Sequence, residues 1–191
     1  KSELINAIFF ADYGRRIMPA SAGRTTMCPT ELGYDASLAP SLRLLPIETR
    51  LQLQGLAEWR VKPERWIEIP LDVNNADQIA KALEKVAEVR KVTLDNARAL
   101  GFWHDELADE NPVPDSEGLV EVPMWRHAII NIPHPLLKQG LVILDTPGLN
   151  AVGAEPELTV NLIPQAHAVV FILSADTGVT RSDLSIWREH L

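Results

Sequence analysis

Basic residues are in deficit here: 18 lysines and arginines stand against 26 aspartates and glutamates, a net charge of −8. A chain that clamps nucleic acid through its phosphate backbone needs a basic face, so that class is disfavoured, while local binding of one nucleotide is not. Cys28 is the single cysteine. It excludes an internal disulfide framework and predicts a reducing, cytoplasmic setting. No apolar run approaches the ~20 residues that span a bilayer. The opening Lys1-Ser2-Glu3-Leu4 has neither a secretory pattern nor an initiating methionine, so the sequence reads as a section of something longer. His104, His127, His134, His167 and His190 are scattered, with no second ligand at helical or hairpin spacing to suggest zinc. A Gly-x-Ser-x-Gly elbow and a Cys-His pair are both missing, which removes the usual nucleophilic hydrolases. Trp59, Trp66, Trp103, Trp125 and Trp187 are too dispersed for a stacking platform and read as packing residues.

What is present organises into one domain. Leu4, Ile5, Ala7 and Ile8 recur at helical spacing after Ser2, predicting a helix to about Phe10. Residues 15 to 24 hold Pro19, Ser21 and Gly23 and read as loop; residues 26 to 34 read as a strand, with Pro29 marking an edge or irregular position. Residues 36 to 63 are ambiguous. Ile67, Ile69 and Leu71 share one face of a short extended segment. Asn75 with Gln78 three residues on is a capping-box pattern, and Ile79, Leu83, Val86, Thr93, Ala97 and Leu100 predict one long amphipathic helix from 75 to 100. The acidic stretch at 104 to 118 reads as a solvated loop whose spacing matches no calcium loop. Runs at 124 to 132 and 141 to 144 predict a hairpin. The continuous apolar run at 168 to 173 predicts a strand buried on both faces, and helices are expected at 158 to 163 and from Ser182 onward.

The chemistry concentrates at three places. Leu141-Val142-Ile143-Leu144-Asp145-Thr146-Pro147-Gly148 is a strand that ends in an aspartate and a glycine-bearing turn. At the carboxyl end of a sheet strand, Asp145 can hold Mg²⁺ through water and the Gly148 N–H can approach a terminal phosphate unobstructed. The same residues also fit a plain strand followed by a type I or II turn. Lys1-Ser2 opens a helix, as the end of a P-loop does: the lysine reaches the β- and γ-phosphates, the serine hydroxyl binds Mg²⁺, and the helix N-terminus adds free N–H groups. Thr25-Thr26 ends the loop, where a threonine can offer its hydroxyl to Mg²⁺ and its carbonyl to the attacking water; a β-branched residue at a strand start fits equally well. The order of these pieces is the order a Mg²⁺-dependent nucleotide switch requires. Arg15, Arg16 and Arg24 lie in the same loop, either as solvated residues or as an arginine finger supplied in cis.

In this order the chain resembles the dynamin-like GTPases, with bacterial members nearest. Lys1-Ser2-Glu3-Leu4-Ile5-Asn6-Ala7 is similar to the end of their phosphate loop. Thr26-Met27-Cys28-Pro29-Thr30-Glu31-Leu32 resembles their switch-one threonine and following strand, and Asp145 to Gly148 their third nucleotide motif. Ser174-Ala175-Asp176-Thr177-Gly178 with Ser182-Asp183 resembles the segment that faces a partner domain in dynamin dimers. Residues 36 to 118 match by position, as a helical insertion.

The resemblance implies a three-layer P-loop NTPase G domain over 1 to 191, α/β, with a mostly parallel sheet, one antiparallel hairpin and helices on both faces. It implies Mg²⁺-dependent GTP binding and hydrolysis coupled to self-association. Lys1 and Thr26 would be catalytic; Lys1, Ser2, Thr25, Asp145 and Gly148 would bind nucleotide; Ser2, Thr26 and Asp145 would hold the metal. A monovalent cation, a homodimer through the nucleotide face, and membrane contact through parts outside this chain are further implications, and no nucleic acid is expected. Guanine specificity comes from the resemblance alone, since no N/T-K-x-D motif occurs in the 191 residues. The glycine-rich arch that precedes the lysine of a P-loop is also not among them, so this stretch by itself is expected to bind nucleotide poorly. Leu149 and Asn150 leave no glutamine after Gly148 to orient water. A nucleotide-responsive scaffold that does not hydrolyse, or an ATPase of the same fold, therefore stays open as an alternative.

Overall fold

The computed structural model describes residues 2–19, 28–106, 111–146 and 166–170, with 172, 178, 179, 184, 187 and 188. The chain forms α1 (Ser2–Phe9), β1 (Thr30–Gly33), β2 (Ser41–Pro46), α2 (Leu56–Arg60), β3 (Ile67–Pro70), α3 (Ala76–Glu84), β4 (Val89–Val92), α4 (Leu94–Ala99), β5 (Val120–Pro123), β6 (Trp125–Asn131) and β7 (Ile143–Asp145).

Helix α1 follows from its sequence. Ile5 and Phe9 lie one turn apart and are both buried, while Glu3 occupies the first turn, where a negative charge suits the helix dipole. The chain leaves α1 through a 3-10 turn at Ala11–Tyr13 that closes on Gly14. The φ of Gly14 is 64°, in the left-handed region that glycine enters without strain.

Five strands form one sheet in the order β3-β2-β6-β1-β7. β1 and β6 run parallel, with Thr30 beside Ala128 and Gly33 beside Asn131. β7 runs antiparallel to β1 on its other side, and β2 is antiparallel to both β6 and β3. Among the described strands, parallel pairing thus rests on β1 and β6 alone, because β2 and β3 enter from the 36 to 118 segment in the opposite sense. Alternation of side chains splits the sheet residues between two cores. Leu32, Leu42, Leu44, Ala128 and Ile130 pack with Ile5 and Phe9 of α1 and with Ile79, Ala80, Ala82 and Leu83 of α3. Leu45 and Ile129 pack with Leu56 and Trp59 of α2 and with Trp66, and Leu144 joins from β7. With a helix layer on each face and strands on each side, β6 is buried at every residue. The layering is α/β, as the sequence predicts.

A smaller unit is built from the two-stranded β4–β5 ribbon and α4. Ile47, Val92, Ala97, Leu100, Phe102, Val120 and Val122 form its core. It is tied to the main sheet where Ile47 N donates to Met124 O (3.1 Å) and Met124 N to Glu88 O (2.9 Å).

Three expectations are corrected. The long helix from 75 to 100 is two helices with a strand between them: Val89 to Val92 pair with β5, and Thr93 is the N-cap of α4, its hydroxyl accepting from Asn96 N. The predicted hairpin of 124–132 with 141–144 does not form, because β1 lies between β6 and β7. Of the run at 168 to 173, the described residues 168–170 are in no strand, and Val169, Val170 and Ile172 are exposed. A strand buried on both faces needs hydrogen-bonding neighbours, and the described sheet ends at β7 without reaching this run. Pro29 also proves to adjoin an interior strand. It stands just before the first paired residue of β1, where its lack of an N–H costs nothing and its carbonyl accepts from Ala128 N at 2.9 Å. The expected helix at 158 to 163 lies outside the described residues; Leu184, Trp187 and Arg188 are helical.

Candidate functional site at the ends of β1 and β7

The antiparallel register of β1 and β7 brings the first residue of one strand beside the last of the other. Thr30 stands opposite Asp145, Glu31 opposite Leu144 and Leu32 opposite Ile143. Both Thr30 and Asp145 are almost fully buried, at 2% and 4% exposure. The Thr30 hydroxyl donates to Cys28 O at 3.2 Å, which turns it back along its own strand. Ser2 begins α1, whose Ile5 and Phe9 pack into the same core that Ile143 of β7 touches. The sheet thus sets Asp145 at the end of a strand, and α1 packs into the core on the face of the sheet to which Ile143 also contributes. Lys1, Thr25, Thr26 and Gly148 lie outside the described residues.

Ser2 and Asp145 offer a hydroxyl and a carboxylate, hard oxygen donors of the kind Mg²⁺ takes when it keeps most of its water. The donor set therefore fits the ion. Among the described residues no cluster of three or more His, Cys, Asp or Glu side chains forms a separate metal site. Of the loop arginines, Arg15 pairs with Asp77 and Arg16 with Glu3, all on the exposed surface, and Arg24 lies outside the described residues.

Two further features, at Asn6 and at Glu31, are not legible in the sequence alone. The first is Asn6, a buried polar residue on α1 whose side chain holds the backbone of Ile17 and Met18. Its signal was an asparagine next to Ile5 on the buried side of a helix. The second lies on the other face of the sheet, beside Leu144. Glu31 receives a two-pronged contact from Arg60 of α2, and His127 Nε2 lies 3.8 Å from Glu31 Oε2. Burial alone would raise the Glu31 pKa, but His127 and the Arg60 guanidinium outweigh it and bring it down to about 2. His127 itself is 1% exposed and packs edge-on against Trp66.

A mixed α/β sheet with helices on both faces, one strand of which ends in an aspartate, is consistent with the frame of a P-loop nucleotide-binding domain. The comparisons carry this further: the dynamin family model matches residues 1–191, and the chain belongs to that family. A bacterial dynamin-like protein from Nostoc punctiforme is 35% identical over 54 residues, which is 28% of this chain and 8% of that protein. A probable transmembrane GTPase, FZO-like and chloroplastic, from Arabidopsis thaliana is 40% identical over 58 residues, 30% of this chain and 6% of that protein. The match thus spans under a tenth of either relative's length. Among the described residues no helix is long and apolar enough to cross a membrane.

Proposed function

We propose that the protein carrying this chain binds and hydrolyses GTP with Mg²⁺, and that turnover is coupled to self-association through the nucleotide face. The observation that carries the reading is the β1–β7 register. Asp145 ends its strand opposite Thr30, and Thr26 precedes Thr30 by four residues in the same chain. In this reading Lys1 neutralises the β- and γ-phosphate charge, and Ser2 and Thr26 offer hydroxyls to the metal while Asp145 orients its water. Thr25 contacts the nucleotide, the Thr26 carbonyl orients the attacking water, and the Gly148 N–H donates to the γ-phosphate. Bound Mg²⁺ would neutralise charge that develops on the phosphates. The rest is positioning, for which fixed donors at a strand end and a helix start are suited.

Residues 1 to 191 are read as one G domain, with 36 to 118 an elaboration that also lends β2 and β3 to the sheet. Ser174 to Gly178, with Ser182 and Asp183, are proposed to face a second copy. A monovalent cation is proposed to assist turnover, and the setting is cytoplasmic, peripheral to a membrane where other parts of the protein make contact. The scaffold alternative is favoured by one observation, Leu149-Asn150 after Gly148 in place of a glutamine. Steady-state turnover of GTP and of ATP by the full-length protein, with and without Mg²⁺ and potassium, separates the readings. GTP turnover that requires Mg²⁺ supports the proposal. Tight GTP binding without turnover supports the scaffold, and equal or faster ATP turnover supports the ATPase.

A further inference from the structure

Helix α1 has one polar residue on its buried side. Asn6 is 9% exposed, with Ile5 and Phe9 as its buried neighbours on the helix. A primary amide in that position is costly unless its donors and acceptor are satisfied, and Asn6 satisfies them on one short stretch of backbone. Its Oδ1 accepts from Ile17 N at 3.0 Å and from Met18 N at 2.7 Å, and its Nδ2 donates to Met18 O at 3.0 Å. One side chain thus holds two consecutive peptide units, 11 and 12 residues further along the chain. Ile17 and Met18 are themselves only 2% exposed, so their side chains lock into the same core.

The place of this clamp gives it meaning. Ser2 and Asn6 belong to the same eight-residue helix. Met18 stands eight residues before Thr26, and on the other side of Thr26 the chain is fixed again at Cys28, which is fully buried, and at Pro29, whose carbonyl accepts from Ala128 N. The chain is therefore held on both sides of Thr25 and Thr26 in the sequence, at Met18 on α1 and at Cys28 and Pro29 on the sheet. The freedom of a loop is set by where its ends are held. Without the amide, the first anchor would keep only its apolar contacts, and Ile17 N, Met18 N and Met18 O would be buried without these partners.

We infer that Asn6 is a positioning residue for GTP hydrolysis: it fixes the loop ahead of Thr26 to the helix that carries Ser2, and so sets where Thr26 can stand relative to the phosphates. The inference rests on the proposed role of Thr26. Asn6 touches neither nucleotide nor metal; it acts through Thr26.

The test is a double-mutant cycle in the full-length protein, with Asn6→Ala, Thr26→Ala and the pair, reading kcat, KM for GTP and affinity for GDP. Ile79→Ala, a fully buried core change on α3, serves as a control for lost stability. Asn6→Asp keeps an acceptor for the two N–H groups and loses the donor. The expected result is a kcat about tenfold to a hundredfold lower for Asn6→Ala, GDP affinity within about threefold of wild type, and a double variant no slower than Thr26→Ala alone. Asn6→Asp should recover part of kcat and, if the alanine variant does not fold, carries the same cycle. Hydrogen exchange at the Ile17 and Met18 amides should quicken in step with lost kcat. The inference is overturned if Asn6→Ala lowers kcat no more than Ile79→Ala does, or if its effect multiplies with that of Thr26→Ala. If Thr26→Ala itself leaves kcat unchanged, the proposed function has failed and the inference falls with it.

Discussion

Thr30 stands directly opposite Asp145 across the antiparallel pair of β1 and β7. The relationship links two sequence motifs separated by more than a hundred residues, and it follows from β1 lying between β6 and β7 rather than from any local turn. The strand that opens at Thr30 and the strand that closes on Asp145 therefore meet at one end of the sheet.

Asp145→Asn keeps the shape of the side chain and removes its charge. A carboxylate that orients a metal ligand from behind a water is worth about 10- to 100-fold in metal affinity. Titration of GTP in the presence of Mg²⁺ should show at least a tenfold weaker complex for the variant, while titration in EDTA should give the same weak affinity for both proteins. An equal loss with and without Mg²⁺ would place Asp145 in structure rather than at the metal.

Glu31 makes a pH-dependent contribution to stability whose sign is fixed by its lowered pKa. In the folded state the carboxyl titrates near 2, below its ordinary value of 4.5, so the folded protein favours the ionised form. The stabilisation is fully present above about pH 4.5 and is lost as pH falls through about 2. After allowance for the solvent exposure of Arg60, the contact contributes roughly 2 kcal/mol at neutral pH. Urea melts of Glu31→Gln and wild type between pH 7 and pH 2 should converge at the acid end and differ by about that amount at the neutral end.

Asn75 caps α3 by accepting from Gln78 N at 3.0 Å, and Gln78 reaches back to accept from Asp72 N at 3.0 Å and donate to Pro70 O at 2.8 Å. Asn75→Ala should cost about 1 kcal/mol of stability and leave GTP turnover unchanged below the melting transition, because this cap supports the elaboration and not the strand ends at Thr30 and Asp145. A thermal melt beside a turnover assay checks both halves.

The parts legible in the sequence were those whose cause is local. Helix α1 was readable from apolar spacing after Ser2, and the α3 cap from Asn75 and Gln78, because both depend on residues within one or two turns. The break between α3 and α4 was not. Ile79, Leu83 and Val86 continue into Thr93, Ala97 and Leu100 at plausible helical spacing, and only the pairing of Val89 to Val92 with Val120 to Pro123 makes the intervening residues a strand. The same holds for β1 between β6 and β7: sequence neighbours suggested a hairpin, and a distant strand took the place. At the site, Asp145 was legible as a strand end followed by Thr-Pro-Gly. Asn6 was not, because its meaning depends on Ile17 and Met18, backbone groups that carry no side-chain signature. Glu31 read as part of a motif, and its partnership with Arg60 and His127 needed the packing of α2 on the sheet.

Mg²⁺-dependent GTP hydrolysis with Thr26 at the reacting centre is tested most directly by single-turnover phosphate release from Mg²⁺-GTP by the full-length protein, wild type beside Thr26→Ala, with bound nucleotide measured in the same samples. Wild type should release phosphate, and release should stop when Mg²⁺ is chelated. The role given to Thr26 requires release slowed at least a hundredfold in Thr26→Ala, with most of the GTP binding retained. Release at the wild-type rate by Thr26→Ala, or GTP held by the wild-type protein with no phosphate released, would contradict it.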